Sequence, residues 1–327
     1  MNYTEAKAAF ETLFSGAMEE GAARQLLIDL YERGENVDEL TAAVEVMKAH
    51  AVKLDVDPSI KDKLIDVVGT GGDKSGSINV SSTVCLLLAS MGCYVAKHGN
   101  RSITSKSGSA DMLESLGIRL DLPTDKQRRL LEETGFTFLF AQNHHPAMKY
   151  IMPVRKSIAH RTIFNFLGPL TNPADVKKQF VGVYDPDFVG RIAQTLLGTG
   201  TLSAMVVSSR DGLDELSLGA PSFVATLKNG AITTDELDPQ SLGFKKAGLD
   251  AIKGGEGEEN ARITRAILEG VQDGAKRDIV ILNTAASLIV EGFARDYQDG
   301  IEMANDAIDS GKAKAGLEKI IKVSQSL

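Results

Sequence analysis

Apolar residues recur at intervals of three and four through the first 55 positions. Segments 3–13, 22–33 and 37–54 carry this spacing, with Gly34-Glu35-Asn36 as a break and no alternating stretch between them. The pattern predicts three amphipathic helices, which serve either as a plain cap on a core or as an arm for dimerisation. At residue 64 the period changes. Short apolar runs at 64–68, 93–96, 136–140, 179–184 and 204–208 alternate with helical patterns at 80–91, 110–116, 124–133 and 187–197. Such alternation predicts an α/β fold: a mostly parallel central sheet with helices on its faces. Asn79 is placed to cap the 80–91 helix and Gly92 to end it. Residues 223–228 and 231–233, joined by Asn229-Gly230, read as a hairpin with a tight turn. A glycine turn, Gly254-Gly255-Glu256-Gly257, precedes a last helical run over 260–324.

Composition narrows the class. A chain of 327 residues suits one large domain, or one large and one small. Apolar content of 43% and charged content of 24% are ordinary for a soluble enzyme. A net charge of -8 argues against nucleic acid or an anionic membrane as partner, so any anion site must be a local exception. Cys85 and Cys93 sit in or beside an apolar run and read as buried free thiols, which suits a reducing cytosol. The longest apolar stretch, 84–96, is broken by Ser90 and Gly92 and is too short to span a bilayer. The N-terminus is polar and helical in pattern, unlike a signal peptide.

The distribution of acids changes the picture most. No Asp or Glu stands between Asp73 and Asp111, although the chain carries 44 of them. That window opens on the turn Gly69-Thr70-Gly71-Gly72-Asp73, which follows a strand and leads to a helix at Asn79 or Val80. Backbone amides and the positive helix end can receive a phosphate there; a tight strand-to-helix turn needs glycine equally. No Gly-Lys-Ser/Thr follows, and the third position after Gly69 and Gly71 is Lys74, so neither the ATP loop nor the dinucleotide fingerprint is present. Asn79, Ser81 and Ser82 crowd the helix start, and capping accounts for only one of them. Lys97-His98-Gly99-Asn100-Arg101 follows the next strand. In a parallel sheet it lies beside the glycine turn; a solvated basic turn is the alternative. Asp73 is suited to accept from a ribose hydroxyl.

A second acid-free window, 134–174, holds His144, His145, Lys149, Arg155, Lys156, His160 and Arg161. Adjacent His144 and His145 lack the spacing of metal ligands. Pro146 reads as the first residue of a helix reaching Ile158. Arg155 lies on that helix, and a guanidinium is a natural clamp for a carboxylate. Asp211-Gly212-Leu213-Asp214-Glu215 follows a strand and is either a magnesium site facing a polyphosphate or a polar surface turn.

Together these segments resemble the anthranilate phosphoribosyltransferase family over essentially the whole chain. The motifs are GTGGD (69–73), NVSS (79–82), KHGNR (97–101), SKSGSAD (105–111), HPAM (145–148), PVR (153–155), RTIFNFLGPLTNP (161–173) and DGLDELS (211–217). The resemblance implies a nucleoside phosphorylase/phosphoribosyltransferase-like fold. A small helical domain, 1–63, joined by part of 155–175, would precede an α/β domain, 64–327, in a cytoplasmic homodimer paired through the helical domain. It implies transfer of the phosphoribosyl group from phosphoribosyl pyrophosphate (PRPP) to the amine of anthranilate, with Mg2+, in tryptophan biosynthesis.

Residue by residue, the resemblance places Gly69, Gly72, Asp73, Ser77, Asn79, Val80, Ser81 and Ser82 on PRPP. It adds Lys97, His98, Gly99, Asn100, Arg101, Ser102, Ile103, Thr104, Ser105 and Ser109. Gly69, Asn100, His145 and Arg155 would meet anthranilate; Ser81, Asp214 and Glu215 would hold magnesium; Lys97, Asn100 and Arg155 would serve catalysis. Ser77 and Ser82 stand where the family often has Thr, which keeps the hydroxyl. No role attaches to His160. A pyrimidine nucleoside phosphorylase has a similar architecture but different glycine-loop and lysine motifs. A nucleic-acid-binding relative would be basic and lack the acidic pair.

Overall fold

The computed structural model describes residues 1–101 and 106–327. Ser102, Ile103, Thr104 and Ser105, all expected at PRPP, lie outside the described residues. The chain opens with α1 (Tyr3–Phe14), α2 (Glu20–Arg33) and α3 (Val37–Ala49). Asn2 and Asn36 cap α1 and α3, and the Glu three residues on returns the bond in each case. The third helix stops short of the expected residue 54. Its continuation is extended because Val52 N–H donates to His144 O and Leu54 N–H to Pro173 O.

Then follow α4 (Pro58–Lys61), β1 (Leu64–Gly69), α5 (Val80–Ser90), β2 (Tyr94–Gly99), α6 (Ser109–Ser115), α7 (Thr124–Thr134) and β3 (Phe136–Phe140). Next come α8 (Ala141–His144), α9 (Met148–Lys156), α10 (Phe164–Leu170), β4 (Lys178–Gly182), α11 (Val189–Gly198), β5 (Ser203–Ser209), β6 (Ser222–Lys228) and β7 (Ala231–Leu237). The expected helix over 146–158 is shorter, since Pro146 and Ala147 form a turn closed by Met148 N–H on His145 O. The last run is four helices: α12 (Gly257–Leu268), α13 (Ala275–Glu291), α14 (Tyr297–Asp309) and α15 (Lys312–Ser326).

The strands form one seven-stranded sheet in the order β3-β2-β1-β4-β5-β6-β7. β1 to β5 are mutually parallel; β6 and β7 add an antiparallel hairpin, turned by Asn229 and Gly230 at φ 53° and 74°. Alternate side chains of β4 and β5 feed two cores. Phe180, Met205 and Val207 join α5 and α12 to α15 on one face. Val181, Ala204 and Val206 join α1 to α3 and α9 to α11 on the other. The N-terminal helices are thus held by the same apolar core as the α9–α10 segment. No described helix is long and apolar enough to cross a membrane.

Candidate active site

The chain lays β2 and β3 to one side of β1 and places β4 and β5 on the other. A crevice opens at such a reversal, outside the carboxyl ends of the strands. Here β1 and β4 end paired, Gly69 with Gly182. The 211–217 loop rests on both, and at Gly182 its backbone leaves no room for a side chain. A Cβ at Gly69 would strike the Asp214 carboxylate, and one at Gly182 the Asp214 carbonyl. Asn283 of α13 fixes the loop from behind, accepting Leu216 N–H and donating to Leu216 O, both at 2.9 Å.

This docking buries two acids. Asp214 is 7% exposed and Glu215 8%. Gly71 N–H donates to Asp214 Oδ2 at 2.7 Å, and the backbone of Ser81, in the first turn of α5, supports the Glu215 carboxylate. Burial, then the neighbouring Asp73, raises Asp214 above the ordinary carboxylate range. Burial, then Asp214, raises Glu215 well above it, with Lys97 opposing. Among the described residues neither acid has an ion-pair partner. Two enclosed carboxyl groups with Lys97 as their one opposing charge among the described residues suit a cation. Among the described residues no three His, Cys, Asp or Glu side chains are arranged to hold a metal by themselves. A hard cation completes its shell with oxygens, as magnesium does with phosphates.

Lys97, near the end of β2, is 2% exposed. Its ammonium donates to Val67 O at 2.8 Å and Ser81 Oγ at 3.4 Å. Beneath it, in β1, Asp66 is fully buried. Asp66 accepts from Asn172 Nδ2 at 2.8 Å and from His98 N–H at 3.3 Å. Burial pushes its pKa up to about 6, with Lys97 the main opposing influence. Asn172 also donates to Ala96 O at 2.7 Å, which ties the turn after α10 to β2. His98 Nδ1 lies 2.9 Å from Gly168 O, a carbonyl, so Nδ1 carries the proton. Burial lowers His98 to about 3 and His145 to about 4. The two rings, 5.1 Å apart and tilted by 60°, are buried and neutral at pH 7. His144 is diverted to Val52 O at 2.7 Å.

The remaining expected residues divide. Asn79 sits at the α5 N-cap but does not cap it. Its side chain crosses instead to Ser107 and Asn260. Val80 and Ser82 are buried, and the Ser82 hydroxyl is enclosed without a hydrogen-bond partner among the described residues. Gly72 is exposed, and Asp73 and Ser77 are partly exposed, on the loop before α5. Asn100 O accepts the Ser109 hydroxyl at 3.2 Å, so Gly99, Asn100 and Ser109 stay together. Arg101 turns away: Glu114 takes its guanidinium through two bonds of 2.6 and 2.7 Å, and Asp111 through one of 3.1 Å. Arg155 is half-buried on α9, 3.9 Å from Met152 Sδ and over the Phe164 ring. It forms no ion pair among the described residues, and burial depresses its pKa. His160 stacks on Tyr31 at 3.8 Å.

Asp66, Asn172, Gly182 and Asn260 carry parts of this geometry that the sequence did not single out. Asn172 lay inside a recognised motif without a role. The others depend on contacts between residues far apart in the chain.

A family profile described as "Glycosyl transferase family, a/b domain" matches residues 61–314. An anthranilate phosphoribosyltransferase of Rhodopseudomonas palustris (strain HaA2) is 48% identical over 320 residues, covering 98% of this chain and 93% of the relative. One from Bradyrhizobium sp. (strain BTAi1 / ATCC BAA-1182) is 45% identical over 322 residues, covering 98% and 94%. The crystal structure of the Thermus thermophilus anthranilate phosphoribosyltransferase superposes with a TM-score of 0.93 at 38% identity, covering 99% of this chain and 96% of that one. The Saccharomyces cerevisiae enzyme, in complex with PRPP and Mg, gives 0.89 at 26% identity, covering 100% and 94%.

Proposed function

This chain belongs to the anthranilate phosphoribosyltransferase family, and from that premise we propose how its residues share the work. The reaction joins the phosphoribosyl group of PRPP to the amine of anthranilate and releases pyrophosphate, a step of tryptophan biosynthesis. The observation that carries the assignment is the buried pair Asp214–Glu215, which has no ion-pair partner among the described residues and is docked on the Gly71 amide and the α5 N-terminus. Asp214, Glu215 and the Ser81 hydroxyl would hold Mg2+ together with PRPP oxygens. Bound there, it supplies positive charge to the leaving pyrophosphate.

The chain's own residues do the rest by position and charge. The glycine loop beyond Gly71, whose own amide is taken by Asp214, and the first turn of α5 receive phosphate oxygens. Lys97, fixed by Val67 O and Ser81, adds a buried positive charge. Asp73 accepts from a ribose hydroxyl, and Asn100 with Ser109 lines the sugar side. Arg155 clamps the anthranilate carboxylate, while Gly69, Asn100 and His145 meet its ring. The aromatic amine is neutral at pH 7, so its lone pair attacks C1′ directly. The C–N bond forms as the C–O bond to pyrophosphate breaks, the oxygen keeps the electron pair, and the amine's proton leaves to solvent. Arg101 reaches PRPP only by exchanging its bonds to Asp111 and Glu114.

The helical domain 1–63, with part of 155–175, is assigned the dimer contact, which the exposed Tyr31 supports; sedimentation at assay concentration tests it. Two buried free thiols suit the cytosol. Anthranilate fluoresces, so its loss with PRPP and magnesium tests the reaction directly, and an unchanging signal rejects it.

A further inference from the structure

The turn Gly254-Gly255-Glu256-Gly257 is a strap across two loops of the cleft. Ser77 pairs with Lys253 in an antiparallel bridge. Ile78 N–H donates to Ile252 O at 3.0 Å, and Gly254 N–H to Gly76 O at 2.9 Å. The packing leaves no room for side chains: a Cβ on Gly254 would meet Ile78 Cα at 2.9 Å, and one on Gly257 the Asp111 carbonyl oxygen at 3.0 Å. The strap therefore touches both the loop before α5 and the start of α6.

Asn260, in the first turn of α12, is 1% exposed and closes this arrangement. Its Oδ1 accepts Gly255 N–H at 2.8 Å, which pins the strap. Its Nδ2 donates to Asn79 Oδ1 at 2.8 Å. The same Asn79 oxygen accepts Ser107 Oγ at 3.0 Å, and Asn79 Nδ2 donates to Ser107 O at 3.2 Å. Three segments distant in sequence meet at one amide. This explains why Asn79 does not cap α5: its side chain joins the helix start to the turn before α6.

We infer that Asn260 is a positioning residue for PRPP. Through Asn79 it locks the 76–79 segment and the α5 N-terminus to the 107–111 turn, so the amides at the helix start are set before the ligand arrives. The inference rests on the assignment of that cleft to PRPP.

Asn260→Asp tests it. The substitution keeps the shape and the acceptor for Gly255 but replaces the donor to Asn79 with a carboxylate oxygen. A buried hydrogen bond lost in this way is expected to raise KM for PRPP roughly tenfold, with KM for anthranilate and kcat held within about twofold. Because Asn260 acts through Asn79, adding Asn260→Asp to Asn79→Ala raises the PRPP KM no further. Additive effects, or equal changes in both KM values, overturn the role. If Asn260→Asp does not fold, Gly257→Ala decides: it leaves Asn260 in place, presses the strap off Asp111, and raises the PRPP KM alone. The wild type separates the two claims. Absence of anthranilate consumption by the wild type rejects the assignment of the cleft. Normal wild-type turnover with an unmoved PRPP KM in the variant rejects Asn260.

Discussion

Replacing Arg155 with alanine probes the anthranilate end of the site and can be worked through in numbers. The guanidinium is half-buried, touches Met152 and Phe164, and has no acid beside it among the described residues. A carboxylate about 4 Å away is attracted by ~4 kcal/mol at an intermediate dielectric. After desolvation, a charged hydrogen-bonded pair retains about 1.5–3 kcal/mol. That corresponds to a rise in KM for anthranilate of roughly 10- to 150-fold, with KM for PRPP nearly unchanged. Stability gives a second reading. The wild-type protein carries a charge that burial penalises, so alanine loses only stem packing, within about 1 kcal/mol. Steady-state kinetics with each substrate varied in turn, together with urea unfolding, provides both measurements. Equal rises in both KM values would refute the reasoning, as would an unchanged anthranilate KM beside a large loss of stability.

Asp214→Asn with Glu215→Gln abolishes magnesium-dependent turnover yet stabilises the metal-free protein, because it removes two carboxylates raised by burial and by neighbouring acids. Retained turnover, or a lower urea midpoint without metal, contradicts this. Asp66, raised by burial from 3.8 to about 6, holds a proton in the native state that the unfolded chain releases. Its contribution is full below about pH 4 and is lost as pH rises through about 6, at most about 3 kcal/mol. Asp66→Asn reduces that slope in urea unfolding between about pH 4 and 7; an unaltered slope counts against it. Arg161→Ala strands the fully buried Glu35, whose carboxylate it grips at 2.8 and 2.9 Å, and empties a cage of Tyr31, Phe166 and Phe188. The expected loss is about 3–5 kcal/mol of unfolding free energy, and a loss below about 1 kcal/mol refutes the pairing.

Periodicity located the strands because β1, β4 and β5 are buried on both faces and read as short apolar runs between glycines and polar turns. The hairpin was legible because Asn229-Gly230 satisfies two left-handed positions. Helix ends were less so. Val52 and Leu54 continue an apolar pattern, yet their amides are claimed by His144 and Pro173, residues remote in sequence. Pro146 suits a helix start, but His145 already closes a turn over it.

The same division runs through the site. Charge distribution and local motif determined which segments could receive anions: a carboxylate-free glycine turn, a basic strand end, an arginine on a helix, and an acidic loop. These are one-dimensional properties, since backbone conformation and formal charge belong to neighbours in the chain. Only the tertiary structure decided that Gly182 must be glycine, because the Asp214 carbonyl lies where its Cβ would be. Only it turned Arg101 outward to Glu114, and drew Asn79 away from its helix to meet Asn260. Burial acts likewise. It raises Asp214 and Glu215 and lowers His98 and Arg155, because desolvation depends on what the whole fold packs around a charge.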